Sequence, residues 1–246
     1  MAVRCVYTDL DGTLLGHGAS LFRDAEGQFT LLPARALEAC HRAGAEVVIK
    51  SGRRRAQVME DARLLGQSAY IFEMGSGLVI EGELTWLTGE WAPGEESVHA
   101  QIASSGAPAA LLEEFPGLIE PHAPWHLERE VSHLFRGLVD NGTIGRHETA
   151  LDLPGTPRAY HLIPAATSKA AAVERHMRAR GHAPEECIAV GDSVEDIAVA
   201  AVVGRFFLVA NAELGLASAP GNVERTEGAM GEGFYEAVVR ALAESR

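Results

Sequence analysis

VYTDLDGTLL, residues 6–15, is an apolar run that breaks into two aspartates, Asp9 and Asp11, followed at once by Gly12 and Thr13. Such a run reads as a buried strand whose C-terminal end opens into a polar turn. In open α/β sheets that is the edge where sites are built. Two carboxylates this close repel each other unless a cation or a proton stands between them. The motif therefore points to a divalent metal site or to a pair with divided roles, one Asp a nucleophile and the other a general acid/base. Asp-Gly alone is also a common turn, so the meaning of the stretch depends on what surrounds it.

Working outward, Pro33 to Ala43 predicts a helix, with Pro near its start and Gly44 as its stop. Glu46 to Lys50 predicts a second strand, running into Ser51-Gly52-Arg53. Arg54 to Leu65 predicts a helix and Ala69 to Glu73 a third strand. This βαβαβ order predicts a parallel sheet with helices on its faces. From about Gly82 the texture changes: Trp86, Trp91, Pro93, Pro108, Pro116, Pro121, Pro124 and Trp125 fall here, and no regular βα unit returns until near residue 168. An inserted domain is expected at 83–162, with 1–82 and 163–246 forming the core. The rhythm then resumes. Ser168 to Arg180 reads as a helix, Cys187 to Val190 as a strand ending in Gly191-Asp192, and Ser193 to Ala201 as a helix. Arg205 to Val209 reads as a strand and Gly233 to Glu244 as a closing helix. The expected fold class is α/β, a Rossmann-like parallel sheet core with helices on both faces and an inserted smaller α/β cap domain.

Composition narrows the function classes. The 246 residues carry a formal net charge of −13, which argues against nucleic acid and anionic membrane as partners. An anionic substrate would then need local positive charge. No apolar run approaches the roughly 18 residues of a membrane span, and because the first residues run straight into the first strand no signal peptide is expected. Cys5, Cys40 and Cys187 read as reduced core residues of a cytosolic protein, and no CxxC or Cys/His spacing suggests zinc. Of 21 cationic residues only Lys50 and Lys169 are lysines, which draws notice to a compact ammonium at 169.

Four segments now stand at corresponding places: Asp9 and Asp11 after the first strand, Ser51 after the second, Lys169 opening a helix, and Asp192 and Asp196 after the CIAV strand. Parallel strand ends share one edge, so these sites converge. Carboxylates there suit magnesium. Ser51 and nearby backbone N–H groups suit phosphate oxygens, and Lys169 suits the charge of a phosphoryl group in transfer.

DLDGT at 9–13, the strand-terminal Ser51, Lys169 and GDSVED at 191–196 together resemble the four motifs of haloacid-dehalogenase-superfamily phosphatases. The resemblance implies that Asp9 is the nucleophile forming an aspartyl-phosphate and that Asp11 is the general acid/base. It implies magnesium held by the Asp9 carboxylate, the Asp11 backbone carbonyl and Asp192, with Asp196 supporting the metal shell. Gly52 and Arg53 are expected at the substrate. The insert resembles the large α/β cap of the Cof-like and sugar-phosphatase branch. Within it the chain is similar to mannosyl-3-phosphoglycerate and sucrose-phosphate phosphatases, through YTDLDGTLL, HLIPAATSKAAAV and TEGAMGEGFYEAV.

Three departures stand out: Glu195 where Asn is frequent, Lys50-Ser51-Gly52-Arg53 in place of Thr-Ser-Lys, and EMGSG at 73–77 where Glu-Asn-Gly is common. In the cap, His122, Trp125, His126, Arg129, His133, Arg136, Arg146 and His147 are open as substrate contacts. The expected function is a cytosolic, magnesium-dependent phosphatase of a small phosphorylated metabolite, a sugar phosphate or a glycosyl-3-phosphoglycerate. A sugar phosphomutase using the same Asp chemistry and a binding or regulatory module of the same fold remain open beside it.

Overall fold

Cys5–Thr8 (β1) is buried at every position, because it runs through the middle of a sheet covered on both faces. The structure, a computed structural model, describes residues 2–137, 147–149, 158–212 and 219–244. In it β1 pairs in parallel with Glu46–Lys50 (β2) on one side and Cys187–Gly191 (β10) on the other. Ala69–Phe72 (β3), Gly77–Ile80 (β4) and Glu83–Trp86 (β5) extend the sheet beyond β2, and Arg205–Leu208 (β11) and Val223–Arg225 (β12) extend it beyond β10. The order is β12-β11-β10-β1-β2-β3-β4-β5, parallel except for β4 and β5, which return as an antiparallel meander. The large sheet thus continues past Gly82 as far as Trp86.

Strand alternation sorts the core into two layers. Val6, Val47, Ile49 and Phe207 face Leu32–Ala43 (α1), Arg55–Leu64 (α2) and Met230–Glu244 (α7). Cys5, Tyr7, Val48 and Ala189 face Lys169–Arg180 (α5), which contributes Ala172, Val173 and Met177. Gly44 and Gly181 end α1 and α5 in the left-handed conformation, as their stop positions predict. The third strand ends at Phe72 rather than Glu73, because Glu73 and Met74 turn to φ values of 44° and 63°. The helix expected over 193–201 is a single turn, Val194–Ile197 (α6), followed by a 3-10 turn at Ala198–Ala201.

Between Trp86 and Leu162 lies a four-stranded antiparallel sheet of Ile119–Pro121 (β6), His133–Gly137 (β7), His147–Thr149 (β8) and Arg158–Leu162 (β9), in the order β6-β7-β9-β8. Val98–Ser104 (α3) and Ala107–Glu114 (α4) precede it. Leu111, Leu112 and Phe115 pack on Ile119, Phe135 and Tyr160, and Val98, Ile102 and Val131 form a second cluster with Trp86 and Trp91. Among the described residues no helix is long and apolar enough to cross a membrane.

Candidate active site

The C-terminal ends of β1, β2 and β10 bring the expected segments to one edge. Asp9 follows β1 and is nearly buried; its Oδ2 lies 3.2 Å from Lys169 Nζ, while its Oδ1 has no hydrogen-bond partner. Lys169 opens α5, where the Ser168 hydroxyl accepts from Ala171 N at 3.1 Å and caps the helix. Asp192 follows β10. Thr13 Oγ1 donates to its Oδ1 at 3.1 Å, and its Oδ2 is buried without a partner.

Asp196 is the hub. Its Oδ1 accepts from Lys50 Nζ at 2.5 Å and from Lys169 Nζ at 2.9 Å. Its Oδ2 accepts from Ser193 Oγ at 2.7 Å and from Ser193 N at 3.3 Å. A Cβ on Gly191 would stand 2.3 Å from Asp196 Cβ, so only glycine lets the one-turn α6 fold back onto the strand end. Both Asp196 oxygens are occupied by side-chain and backbone donors, which places this carboxylate behind Asp9 and Asp192 and fixes both lysines.

The electrostatics follow from burial. Desolvation raises Asp9 to about 6, against the pull of Lys169, with Asp196 adding to the rise. Desolvation together with Asp9 and Asp196 holds Asp192 well above the usual carboxylate range. Asp196 goes the other way: burial works against its charge, but Lys169 and Lys50 outweigh it and hold it below the usual range. Lys169 is likewise opposed by burial and held above its ordinary value by Asp196 and Asp9.

Ser51 is buried at the end of β2, and its Oγ accepts from Arg53 N at 3.2 Å. Arg53 does not point to open space. Its Nε and Nη2 donate to the two Asp11 oxygens at 2.8 and 2.6 Å, and Nη1 donates to Asp61 at 2.9 Å. Gly52 lies under the insert: a Cβ there would meet Met74 Sδ at 2.9 Å and His161 Nε2 at 3.0 Å. Its carbonyl accepts from Arg129 Nη1 at 3.0 Å.

No family model matches the chain. A phosphoglycolate phosphatase from Halorubrum lacusprofundi is 29% identical over 213 residues, covering 83% of each chain. The sucrose-phosphatase of Synechocystis, solved with sucrose and phosphate, aligns with a TM-score of 0.69 at 16% identity over 98% of both chains. A phosphatase of the haloalkanoate (HAD) superfamily from Bacteroides thetaiotaomicron aligns with a TM-score of 0.68 at 18% identity over 98% of this chain and 95% of its own. The chain shares the fold of these two phosphatases.

The structure brings Asp9, Asp11, Ser51, Gly52, Arg53, Lys169, Asp192 and Asp196 to one edge. Three further residues, none of them among the expected site residues, also stand here. Lys50, fully buried, points into the site and also donates to Val190 O at 3.1 Å. Glu73, fully buried, accepts from Glu130 N at 2.9 Å, Val131 N at 3.1 Å and Ser132 N at 2.7 Å, which latches the insert to the core. His161 stands over Gly52. The EMGSG departure was the visible signal for Glu73.

Glu195 is buried. Among the cap candidates, Arg129 meets the Ser51-Gly52-Arg53 loop. His133 instead stacks on His99 at 3.7 Å between ring centroids, and Arg136 pairs with Glu120. Arg146 and the His147 side chain lie outside the described residues.

Proposed function

We propose that the chain is a magnesium-dependent phosphatase of a small phosphorylated metabolite, acting through an aspartyl-phosphate on Asp9. The observation that carries this reading is the pair of buried carboxylate oxygens, Asp9 Oδ1 and Asp192 Oδ2, without hydrogen-bond partners. With Asp196 their carboxylates gather within 4.8 Å of one another. Buried anionic oxygens left unpaired are the donor set a hard divalent cation takes. Asp9, Asp192 and the Asp11 carbonyl would hold magnesium, which supplies charge neutralisation to the phosphoryl oxygens when bound.

The chain's own groups do the rest. Lys169 steadies the ionised Asp9 and faces the incoming phosphoryl group. Asp9 attacks phosphorus in line with the departing oxygen, and Asp11 gives that oxygen its proton. Asp11 then takes a proton from the water that opens the acyl-phosphate. Arg53, now clamped on Asp11, is within reach of phosphate when that clamp is shared. Ser51 Oγ and the backbone N–H groups of its loop hold phosphate oxygens. Arg129, His161 and Met74 bound the space above Gly52, so the leaving group meets them.

For substrate, the motifs favour a sugar phosphate or a glycosyl-3-phosphoglycerate such as mannosyl-3-phosphoglycerate, and the name of the Halorubrum relative adds 2-phosphoglycolate. The test is phosphate release from all three classes with magnesium, in wild type and Asp9→Asn side by side. Release on one class, reduced more than about 10³-fold in the variant, is the expected result. Near-wild-type turnover by Asp9→Asn would sink the mechanism.

A further inference from the structure

The opposite ends of the same strands hold a second group of metal-ligating side chains. Cys5 opens β1, Glu46 opens β2 and Cys187 opens β10, and the sheet register sets Cys5 directly beside both. Parallel partners point to the same face, here the face covered by α5. From α5, His176 comes down onto this row. Cys5, Glu46 and His176 each bring a ligand atom within 4.8 Å of the other two. The group lies about 13 Å from Asp9, four residues of strand away.

The bonding around His176 and Glu46 leaves one side of each available. His176 is fully buried, and its Nε2 has no hydrogen-bond partner. That nitrogen faces Glu46 Oε2 at 3.6 Å. Its other nitrogen, Nδ1, is hydrogen-bonded to the Tyr7 hydroxyl at 2.8 Å. Glu46 is oriented as well: Arg180 Nη2 donates to its Oε1 at 2.9 Å, leaving Oε2 turned inward. His182, its side chain largely buried, has neither ring nitrogen hydrogen-bonded, and its Nε2 lies 3.8 Å from the same Oε2.

We propose that Cys5, Glu46 and His176 form a second metal site that takes zinc or a similar thiolate- and imidazole-binding divalent cation, with its fourth position open toward His182. Sulfur, imidazole and carboxylate in one buried group select such an ion over magnesium. Bond lengths of about 2.0–2.3 Å put tetrahedral zinc ligands roughly 3.3–3.7 Å apart. The His176–Glu46 separation already lies in that span, and the Cys5 sulfur closes the rest by moving about 1 Å. Tyr7 then accepts from His176 Nδ1–H and fixes the tautomer that offers Nε2. A metal there ties β1, β2 and α5 together beneath the carboxylate site.

The experiment uses the whole chain, stripped of metal and kept reduced, and titrates it with Co²⁺. The carboxylate site offers no sulfur, so a near-ultraviolet thiolate-to-cobalt band reports the second site alone. The expected result is a band saturating at one equivalent, displaced by Zn²⁺, lost in Cys5→Ser and retained in Asp192→Asn. Tyr7→Phe should need about tenfold more Co²⁺ for half-saturation. Glu46→Gln, at a partly exposed position, should do the same and covers the case in which Cys5→Ser fails to fold. No band in the wild type, a band that survives Cys5→Ser in a folded variant, or a Glu46→Gln titration that matches wild type overturns the proposal.

Discussion

Lys50→Met is the most direct test of how the site is held together. It keeps the length of the side chain and removes its charge. Lys50 Nζ lies 2.5 Å from Asp196 Oδ1, and neither side chain is exposed. At that distance and an effective dielectric of 20 the attraction is about 6–7 kcal/mol. Part of it is offset, because the unfolded chain rehydrates the ammonium. Breaking a buried pair typically costs about 3–5 kcal/mol. Asp196 keeps Lys169 and Ser193, so the lower figure applies. About 3 kcal/mol in a chain of this size lowers the melting temperature by roughly 6–12 °C. Urea unfolding of wild type and variant gives the difference directly. A second readout is chemical. Lys50 is among the groups that pull Asp9 down, so the acid limb of the kcat/KM profile should move to higher pH in the variant. An unfolding midpoint equal to wild type would refute the buried pairing.

Three further outcomes follow from the geometry. Asp9 stands at about 6 in the folded chain against an ordinary 3.8. The native state therefore binds the extra proton. Its contribution of about 3 kcal/mol is present below the ordinary value and is lost as pH rises through about 6. Urea midpoints in chelator should fall across that window and recover with excess magnesium; a flat profile in chelator would be wrong for this site. Glu73→Gln exchanges an acceptor for a donor against the N–H groups of residues 130–132 and should cost about 2–3 kcal/mol. Hydrogen exchange at those amides should quicken, and unchanged protection would show that the latch carries no load. Asp11→Asn should slow both half-reactions by about 10²–10⁴-fold in single-turnover assays; an intact rate would require another acid/base.

The sheet and the site edge were legible because each strand end carries a chemical residue where a parallel sheet exposes it. Asp9, Ser51 and Asp192 could be aligned from the apolar runs before them. Lys50 could not. Its strand is buried on both faces, so alternation gives no sign of which way a terminal lysine turns. The register supplies the answer: one step beyond the Thr8–Ile49 pair, Lys50 lies beside Asp9. Glu73 was hidden for a different reason. Its partners lie 57 to 59 residues away, and a glutamate after a strand usually faces water. Arg53 was expected at the substrate. Its clamp on Asp11 and Asp61 depends on α2 standing over the β1 turn, which no local pattern encodes. The Cys5, Glu46 and His176 group is invisible to spacing rules, since its members come from two strand starts and a distant helix.

The two lysines have a consequence outside catalysis. They are the only lysines in the chain, and side-chain exposure is nil for Lys50 and about nil for Lys169. Away from its amino terminus the folded protein therefore offers no ε-amine to solvent. Amine-selective dyes, aldehyde fixatives and acylating reagents should find almost nothing to modify until the strand ends separate. The extent of amine labelling then becomes a count of opened molecules, with each event reported from the centre of the site.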